Sequence, residues 1–462
     1  MGRLFGTDGA RGIANTELTC ELAVRIGRAC GAQSLRGGNF WPAGTRQQFI
    51  IGMDTRASSG MLANALAAGF NSVGVDAVMA GVVPTPAVAH LIPLWGCAGG
   101  AMVSASHNPC EYNGIKLFGS QGTKLPDAQE ERIEAIILDE TEPPSTLLGG
   151  RVGRCIAGEA AVPDYLRHLR GTVPGNLATL LQSQGMGRIA LDCANGSASV
   201  TAPRLFSELG FAYDLLSAAP DGENINKNCG STHMEALRDY VRAHDEICAG
   251  FAFDGDADRL LAVDETGALV NGDQMIALCA KQMQADGHLK DNAAVATVMA
   301  NLGFHAFCER NGIAREITTV GDRYVLERMQ EKGLSIGGEQ SGHIIFSEFA
   351  ATGDGQLTAL QVLNVMRKTG RRLSALAGEM EIFPQVMVNV KVSNLGKLRC
   401  HTDPEIALAV VRAKEELGES GRVLVRVSGT EPLIRVMLEG RDAAQIRRLC
   451  NELAEVVRVR LI

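Results

Sequence analysis

Asp254, Asp256 and Asp258 stand at alternate positions in FDGDADR, directly behind the apolar run AGFAF. Where a strand gives way to a loop, that spacing converges three carboxylates, which repel one another unless something positive lies between them. A hard divalent cation removes the cost, and an all-oxygen ligand set points to Mg²⁺, which keeps open positions for phosphate oxygens. A calcium loop of the EF-hand kind is a rival, because Glu265 falls at its twelfth position. Its sixth position, however, is Arg259 instead of glycine, and LLAV follows as a strand. A solvated acidic turn is the plainest alternative.

SASHNP, residues 104–109, places Ser106 next to His107 and Asn108 and ends the regular backbone with Pro109. No GxSxG elbow surrounds it, which argues against a serine hydrolase. Two readings remain: a polar strand end with a turn, or a serine that carries a phosphoryl group and completes the coordination of the cation. RVSGTEPLIR offers Arg426, Ser428, Gly429, Thr430 and Arg435, which could cradle a phosphate or form an ordinary hairpin turn. GGEQSGH presents Glu339, Ser341 and His343 among glycines, a polar loop suited to sugar hydroxyls or simply a connection. FGTDGARG and NGIK add Arg11 and Lys116 as candidates for anion contact or proton transfer.

The elements that must position these residues recur. FIIGMD, then a helical stretch, then VDAVMAG read as strand, helix and strand. The order returns from Arg188 and again from Ala293, and each first helix runs into a glycine suited to a left-handed cap. Such units build mixed or parallel sheets covered by helices, with ligand groups at strand ends. After about Thr369 the texture changes to QVMVNVKVSN, a helix, two strands and a closing helix, a smaller α+β domain. The expected fold class is therefore α/β: three similar mixed-sheet domains, 1–157, 158–259 and 260–372, and a C-terminal domain, 373–462.

With 462 residues, 46% apolar and 21% charged, the chain has the mix of an ordinary globular protein. A net charge of -8 without blocks of like charge argues against nucleic acid or an anionic membrane as a partner. From Ala77 to Ser106 there is no charged side chain, yet Pro84, Pro86, Pro93 and four glycines cut the run into pieces too short to span a bilayer. Twelve cysteines without a CxxC, and an N-terminus lacking an apolar leader, are expected of a cytoplasmic protein with reduced thiols.

Taken together, FGTDGARG, SASHNP, NGIKLF, GTKLPD, FDGDADR, VGDRY, GGEQSGH, TGDG and RVSGTEPLIRVMLEG resemble the α-D-phosphohexomutase superfamily over essentially the full length. FGTDG and SGTEPLIRVM resemble its bacterial members that act on glucosamine phosphates. The resemblance implies four domains around a central active-site cleft and interconversion of glucosamine 6-phosphate and glucosamine 1-phosphate, on the route to UDP-N-acetylglucosamine. It implies a phosphorylated Ser106 oriented by His107. It implies one Mg²⁺ per chain held by Ser106, Asp254, Asp256 and Asp258, and a glucosamine 1,6-bisphosphate intermediate.

Sugar contacts are then expected at Glu339 and Ser341, and distal phosphate contacts at Arg426, Ser428, Gly429, Thr430 and Arg435. Proton transfer is expected at Lys116, Arg11 and, third in order, His343. Lys116 is expected to have its pKa lowered toward neutrality by burial and nearby positive charge. A homodimer is the expected assembly. The sequence departs from the family at Ala10, before Arg11, and in the glycine-rich LRGGNFWPAG connection. A phosphoglucomutase or phosphomannomutase would use the same loops; a metal-dependent phosphatase or a non-catalytic sugar-phosphate sensor would be different classes.

Overall fold

The structure is a computed structural model that describes residues 3–6, 8–36, 46–139, 141, 144–418, 421–427 and 433–461. Three of its four sheets repeat one topology. The first contains β1 (Ala10–Ile13), β2 (Gln48–Met53), β3 (Asp76–Val82), β4 (Gly99–Val103), β5 (Tyr112–Gly119) and β6 (Cys155–Ala157), in the order β1-β5-β4-β2-β3-β6. The second contains β7 (Arg188–Asp192), β8 (Ala212–Leu216), β9 (Ile247–Phe253), β10 (Leu260–Asp264) and β11 (Leu269–Val270), in the order β11-β10-β9-β7-β8. The third contains β12 (Ala293–Thr297), β13 (Ala314–Thr318), β14 (Ile336–Gly338) and β15 (Ile344–Phe346), in the order β13-β12-β14-β15.

In each of the three, the first strand of the repeat lies between the other two and parallel to both, and an antiparallel strand then adds to the third. The central strands are buried on both faces, which is why β4 and β9 are buried throughout and read as unbroken apolar runs. In the first unit the intervening helix, Ala57–Ser72, buries Leu62, Leu66 and Phe70 at helical spacing against that sheet. A second helix, Cys20–Arg36, crosses it closely at Gly27, where an added Cβ would lie 2.3 Å from the Leu66 carbonyl oxygen.

The links between the third strand and its antiparallel neighbour hold three of the sequence motifs. SASHNP lies between β4 and β5, DGDAD between β9 and β10, and EQSGH between β14 and β15. The recurring strand-helix-strand pattern is thus one architecture used three times. The second expected boundary, near 259, needs correction: it falls inside the β9–β10 hairpin, which pairs Leu260 with Phe253, and the sheet continues to Val270. The hairpin turns so tightly that its apolar return strand, LLAV, reads as a new beginning in sequence.

The uncharged stretch from Ala77 to Ser106 is β3, a helix at Thr85–Leu94, and β4. Among the described residues no helix is long and apolar enough to cross a membrane. Residues 300–312 and 379–462 form a separate compact unit. In it β16 (Gln385–Lys391), β17 (Gly421–Val427) and β18 (Leu433–Gly440) make an antiparallel sheet in the order β16-β18-β17. The helices Pro404–Leu417 and Ala443–Leu461 supply Ile406, Leu417, Ile446, Leu453 and Val457 to a core with Ile434, Val436 and Leu438. The fully buried Glu439 accepts from the Leu302 amide at 2.8 Å and from Arg422 at 2.6 Å, tying residues 300–312 to this sheet.

Candidate active site

Ser106 leaves the C-terminal end of β4 in a left-handed backbone conformation, φ +52, which costs an ordinary residue about 1–2 kcal/mol. A buried polar network compensates. The Ser106 amide donates to Ser104 Oγ at 2.9 Å, and Ser104 Oγ donates to Asp54 at 2.6 Å. Asp54 also accepts from Ser59 Oγ at 2.6 Å and from the Arg56 side chain at 2.5 Å. The twist aims Ser106 Oγ at the second sheet, where it donates to Asp254 Oδ2 at 2.6 Å. The same oxygen is 3.3 Å from Nδ1 of its neighbour His107. Burial, then the charges of Arg259 and Arg11, push the His107 pKa down to about 4, so its ring is neutral at physiological pH.

Asp254, Asp256 and Asp258 each offer a carboxylate oxygen, and these oxygens all lie within 4.8 Å of one another. Burial, reinforced by the charges of Asp258 and Asp256, raises Asp254 to about 8. Burial opposes ionisation of both Asp256 and Asp258, as does the Asp258 charge at Asp256, but Lys116 and Thr85 together at Asp256, and Lys116, His343 and Arg259 together at Asp258, hold both below the usual carboxylate range. Oδ1 of Asp256 and Oδ1 of Asp258 are buried without a hydrogen-bond partner. Two orphaned carboxylate oxygens beside a third acid are the donor set a hard cation requires. Glu265, the twelfth residue of the EF-hand alternative, is engaged elsewhere: its Oε1 accepts from Ser374 Oγ and its Oε2 from the Ser374 amide at 3.2 Å. That contact removes the calcium-loop reading.

Lys116, on β5 opposite Met102 of β4, reaches Asp256 at 2.8 Å, Asp8 at 3.5 Å and Asp258 at 3.6 Å. Burial lowers its pKa, but Asp256 and Asp258 more than reverse this, so the net shift is upward, opposite to the expectation from sequence. Arg11, on β1 opposite Gly114, pairs with Asp8, and burial lowers its pKa. His343 has Nδ1 3.6 Å from Asp258, while its Nε2 accepts the Gly353 amide at 3.0 Å, fixing the proton on Nδ1 in the neutral ring. Burial opposes protonation of His343, and Asp258 outweighs it to raise the pKa.

In the third sheet's link, Glu339 Oε1 accepts from the Gly321 amide at 3.1 Å, and Ser341 is exposed. The link is braced against the second sheet, where the Leu260 amide donates to the Gly342 carbonyl at 3.0 Å. Asp8, Lys124, Asp322 and Thr85, not singled out from sequence, complete the cluster. Lys124 donates to Asp8 at 2.8 Å and to Asp322 at 2.5 Å, and Asp322 approaches His343 Nε2 at 4.0 Å. Thr85 Oγ1 donates to Asp256 at 2.5 Å. GTKLPD and VGDRY contain Lys124 and Asp322, so the signal was present, but nothing in sequence pairs residues 198 positions apart.

In the C-terminal unit, Arg426 of β17 stands directly opposite Arg435 of β18 in the ladder. Two guanidinium groups on neighbouring strands are suited to grip one anion between them. Ser428, Gly429 and Thr430 lie outside the described residues.

Four successive stretches match the phosphoglucomutase/phosphomannomutase family: α/β/α domain I at 2–144, domain II at 163–267, domain III at 271–383 and the C-terminal domain at 387–456. A phosphoglucosamine mutase of Clostridium perfringens is 50% identical over 457 residues, covering 99% of each chain. Among solved structures, a phosphoglucomutase/phosphomannomutase family protein from Burkholderia thailandensis is 23% identical with a TM-score of 0.81, covering 99% of this chain and 98% of that one. An Aspergillus fumigatus N-acetylphosphoglucosamine mutase, solved with GlcNAc-6P and magnesium, is 19% identical with a TM-score of 0.61, covering 95% and 99%. The repeated sheet, the order of the motif loops and these full-length matches agree: the chain belongs to the phosphoglucomutase/phosphomannomutase family of the α-D-phosphohexomutase superfamily, and it is an enzyme of the phosphohexomutase class.

Proposed function

We propose that the chain interconverts glucosamine 6-phosphate and glucosamine 1-phosphate through a phosphoryl group carried on Ser106. The observation that carries this reading is the 2.6 Å contact between Ser106 Oγ and Asp254, within an acidic trio that has two orphaned oxygens. The 50% identity to a phosphoglucosamine mutase favours the amino sugar over glucose or mannose.

Asp254, Asp256 and Asp258, with the Ser106 phosphoryl oxygens, would hold one Mg²⁺, which offsets charge developing on the transferred group. Ser106 gives its phosphoryl to O1 of glucosamine 6-phosphate: the P–Oγ bond breaks, a P–O1 bond forms, and the O1 proton leaves to the enzyme. The resulting 1,6-bisphosphate reorients, and its 6-phosphoryl returns to Ser106, releasing glucosamine 1-phosphate. Lys116 exchanges the proton, and it can accept one only while the neighbouring carboxylates are charge-compensated, because alone they hold it protonated. Arg11 steadies the transferred group, the neutral His107 orients the serine loop, and His343 supports Asp258.

Glu339 and Ser341 read hydroxyls, and Arg426 and Arg435, with Ser428, Gly429 and Thr430, bind the phosphate that is not reacting. The chain is organised as four domains, the second extended to include β10 and β11. The assembly is a homodimer and the setting the cytoplasm. The test couples glucosamine 1-phosphate formation to intact-protein mass. The parent protein carries one phosphoryl group and turns over, and Ser106→Ala does neither while remaining folded. Normal steady-state turnover by Ser106→Ala defeats the reading, and faster turnover of glucose or mannose 6-phosphate reassigns the sugar.

A further inference from the structure

Ser106 does not hold its left-handed conformation alone. Its carbonyl oxygen, and that of Asn108 two residues on, each accept from two buried side chains. Asn226 Nδ2 donates to Ser106 O at 2.9 Å and to Asn108 O at 3.1 Å. Arg56 donates from one guanidinium nitrogen to Ser106 O at 3.2 Å and, from the same nitrogen, to Asn108 O. Arg56 follows β2 of the first sheet, whereas Asn226 belongs to the segment after β8 of the second. The two sheets therefore close on the same pair of carbonyls.

Asn226 also meets the acidic loop. Gly255, between Asp254 and Asp256, passes so close that an added Cβ would lie 2.5 Å from Ser106 O and 3.0 Å from Asn226 Nδ2. Asn226 is 6% exposed, has φ +57, and is anchored by its amide to the Ala194 carbonyl at 2.9 Å.

Building on the phosphoserine reading above, we propose that Asn226, acting with Arg56, is a positioning residue for phosphoryl transfer: it fixes Ser106 Oγ at the distance from the acidic trio at which transfer occurs. Neither side chain need touch the sugar. Both act through the serine backbone, and their loss lets Oγ drift from Asp254 without changing how sugar phosphate or cation binds. Asn226→Asp is the sharpest perturbation, because aspartate tolerates the left-handed backbone and matches the volume while turning a double donor into an acceptor facing two carbonyls.

The experiment mixes protein radiolabelled on its Ser106 phosphoryl group with unlabelled glucosamine 6-phosphate and Mg²⁺, quenches at intervals, and follows passage of the label from the protein to the sugar. Asn226→Asp is expected to slow this single turnover and kcat together by about 100-fold, the scale of a small misplacement of reacting atoms, with KM and the Mg²⁺ dissociation constant within about twofold of the parent. A purely structural role instead lowers the folded fraction and leaves the rate per phosphorylated molecule unchanged, which overturns the inference. So does a slowdown accompanied by an equal rise in KM or in the Mg²⁺ dissociation constant. Should Asn226→Asp not fold, Arg56→Lys, which keeps the charge beside Asp54 but loses the guanidinium fork, is read by the same criteria. Failure of the parent phosphoprotein to pass its label to the sugar phosphate counts against the phosphoserine reading itself.

Discussion

Cation binding should be linked to a proton, and the structure sets how strongly. Asp256 and Asp258 are held below the usual carboxylate range, so both are ionised at neutral pH; Asp254, raised to about 8, is not. A cation entering the trio must therefore displace one proton, from Asp254. At about pH 7 most of one proton is displaced per ion, and the apparent affinity should rise by about ninefold from about pH 6 to about pH 7 and about fivefold more by about pH 8, then level.

In the ion-free protein the same shift bears on stability. The fold retains a proton that the unfolded chain releases near 3.8, so this contribution to stability is full below that pH and is lost as pH rises through about 8. Dephosphorylated protein titrated calorimetrically with Mg²⁺, in two buffers of different ionisation enthalpy, reads both the proton count and the affinity. Asp254→Asn should bind more weakly and release no proton. A flat affinity across the window, or equal apparent heats in the two buffers, refutes the electrostatic argument.

Asp256→Asn removes the partner of both Lys116 and Thr85, and the Mg²⁺ requirement and the rate should weaken together; an unchanged Mg²⁺ titration counts against Asp256 as a ligand. Glu265→Gln should leave Mg²⁺ affinity unaltered while lowering stability by about 1 kcal/mol, because that carboxylate serves the Ser374 end of a short helix; a loss of ion affinity would restore the EF-hand geometry. Arg435→Gln, which removes one of the two facing guanidinium groups, should raise KM for the sugar phosphate about 10-fold or more. An unchanged KM places the phosphate elsewhere.

The strand-helix-strand pattern was legible because its central strands are buried on both faces and therefore read as apolar runs broken by turn residues. The acidic trio was legible because alternate spacing along one loop survives folding. That Ser106 meets it stood in the sequence only as one of two open readings, since 148 residues separate Ser106 from Asp254 and only the resemblance chose between them. The Lys116 shift was misread for a related reason. Burial can be guessed from an apolar context, but three carboxylates arriving from Asp8, Asp256 and Asp258 cannot be counted from one strand. Lys124 and Asp322 escaped because their pairing exists only where the first and third sheets meet.

The hairpin position shared by three sheets separates the tasks of the enzyme. On the proposed reading, one link would store the phosphoryl group, the second collect the acids and the third face the sugar, each on its own framework. If Glu339 and Ser341 read the sugar as proposed, retargeting such an enzyme to a different hexose would proceed by rewriting the short stretch around them while leaving the Ser106 and acidic links in place. Diversification of substrate becomes a local edit, as long as the bond from Leu260 to Gly342 continues to tether the rewritten link.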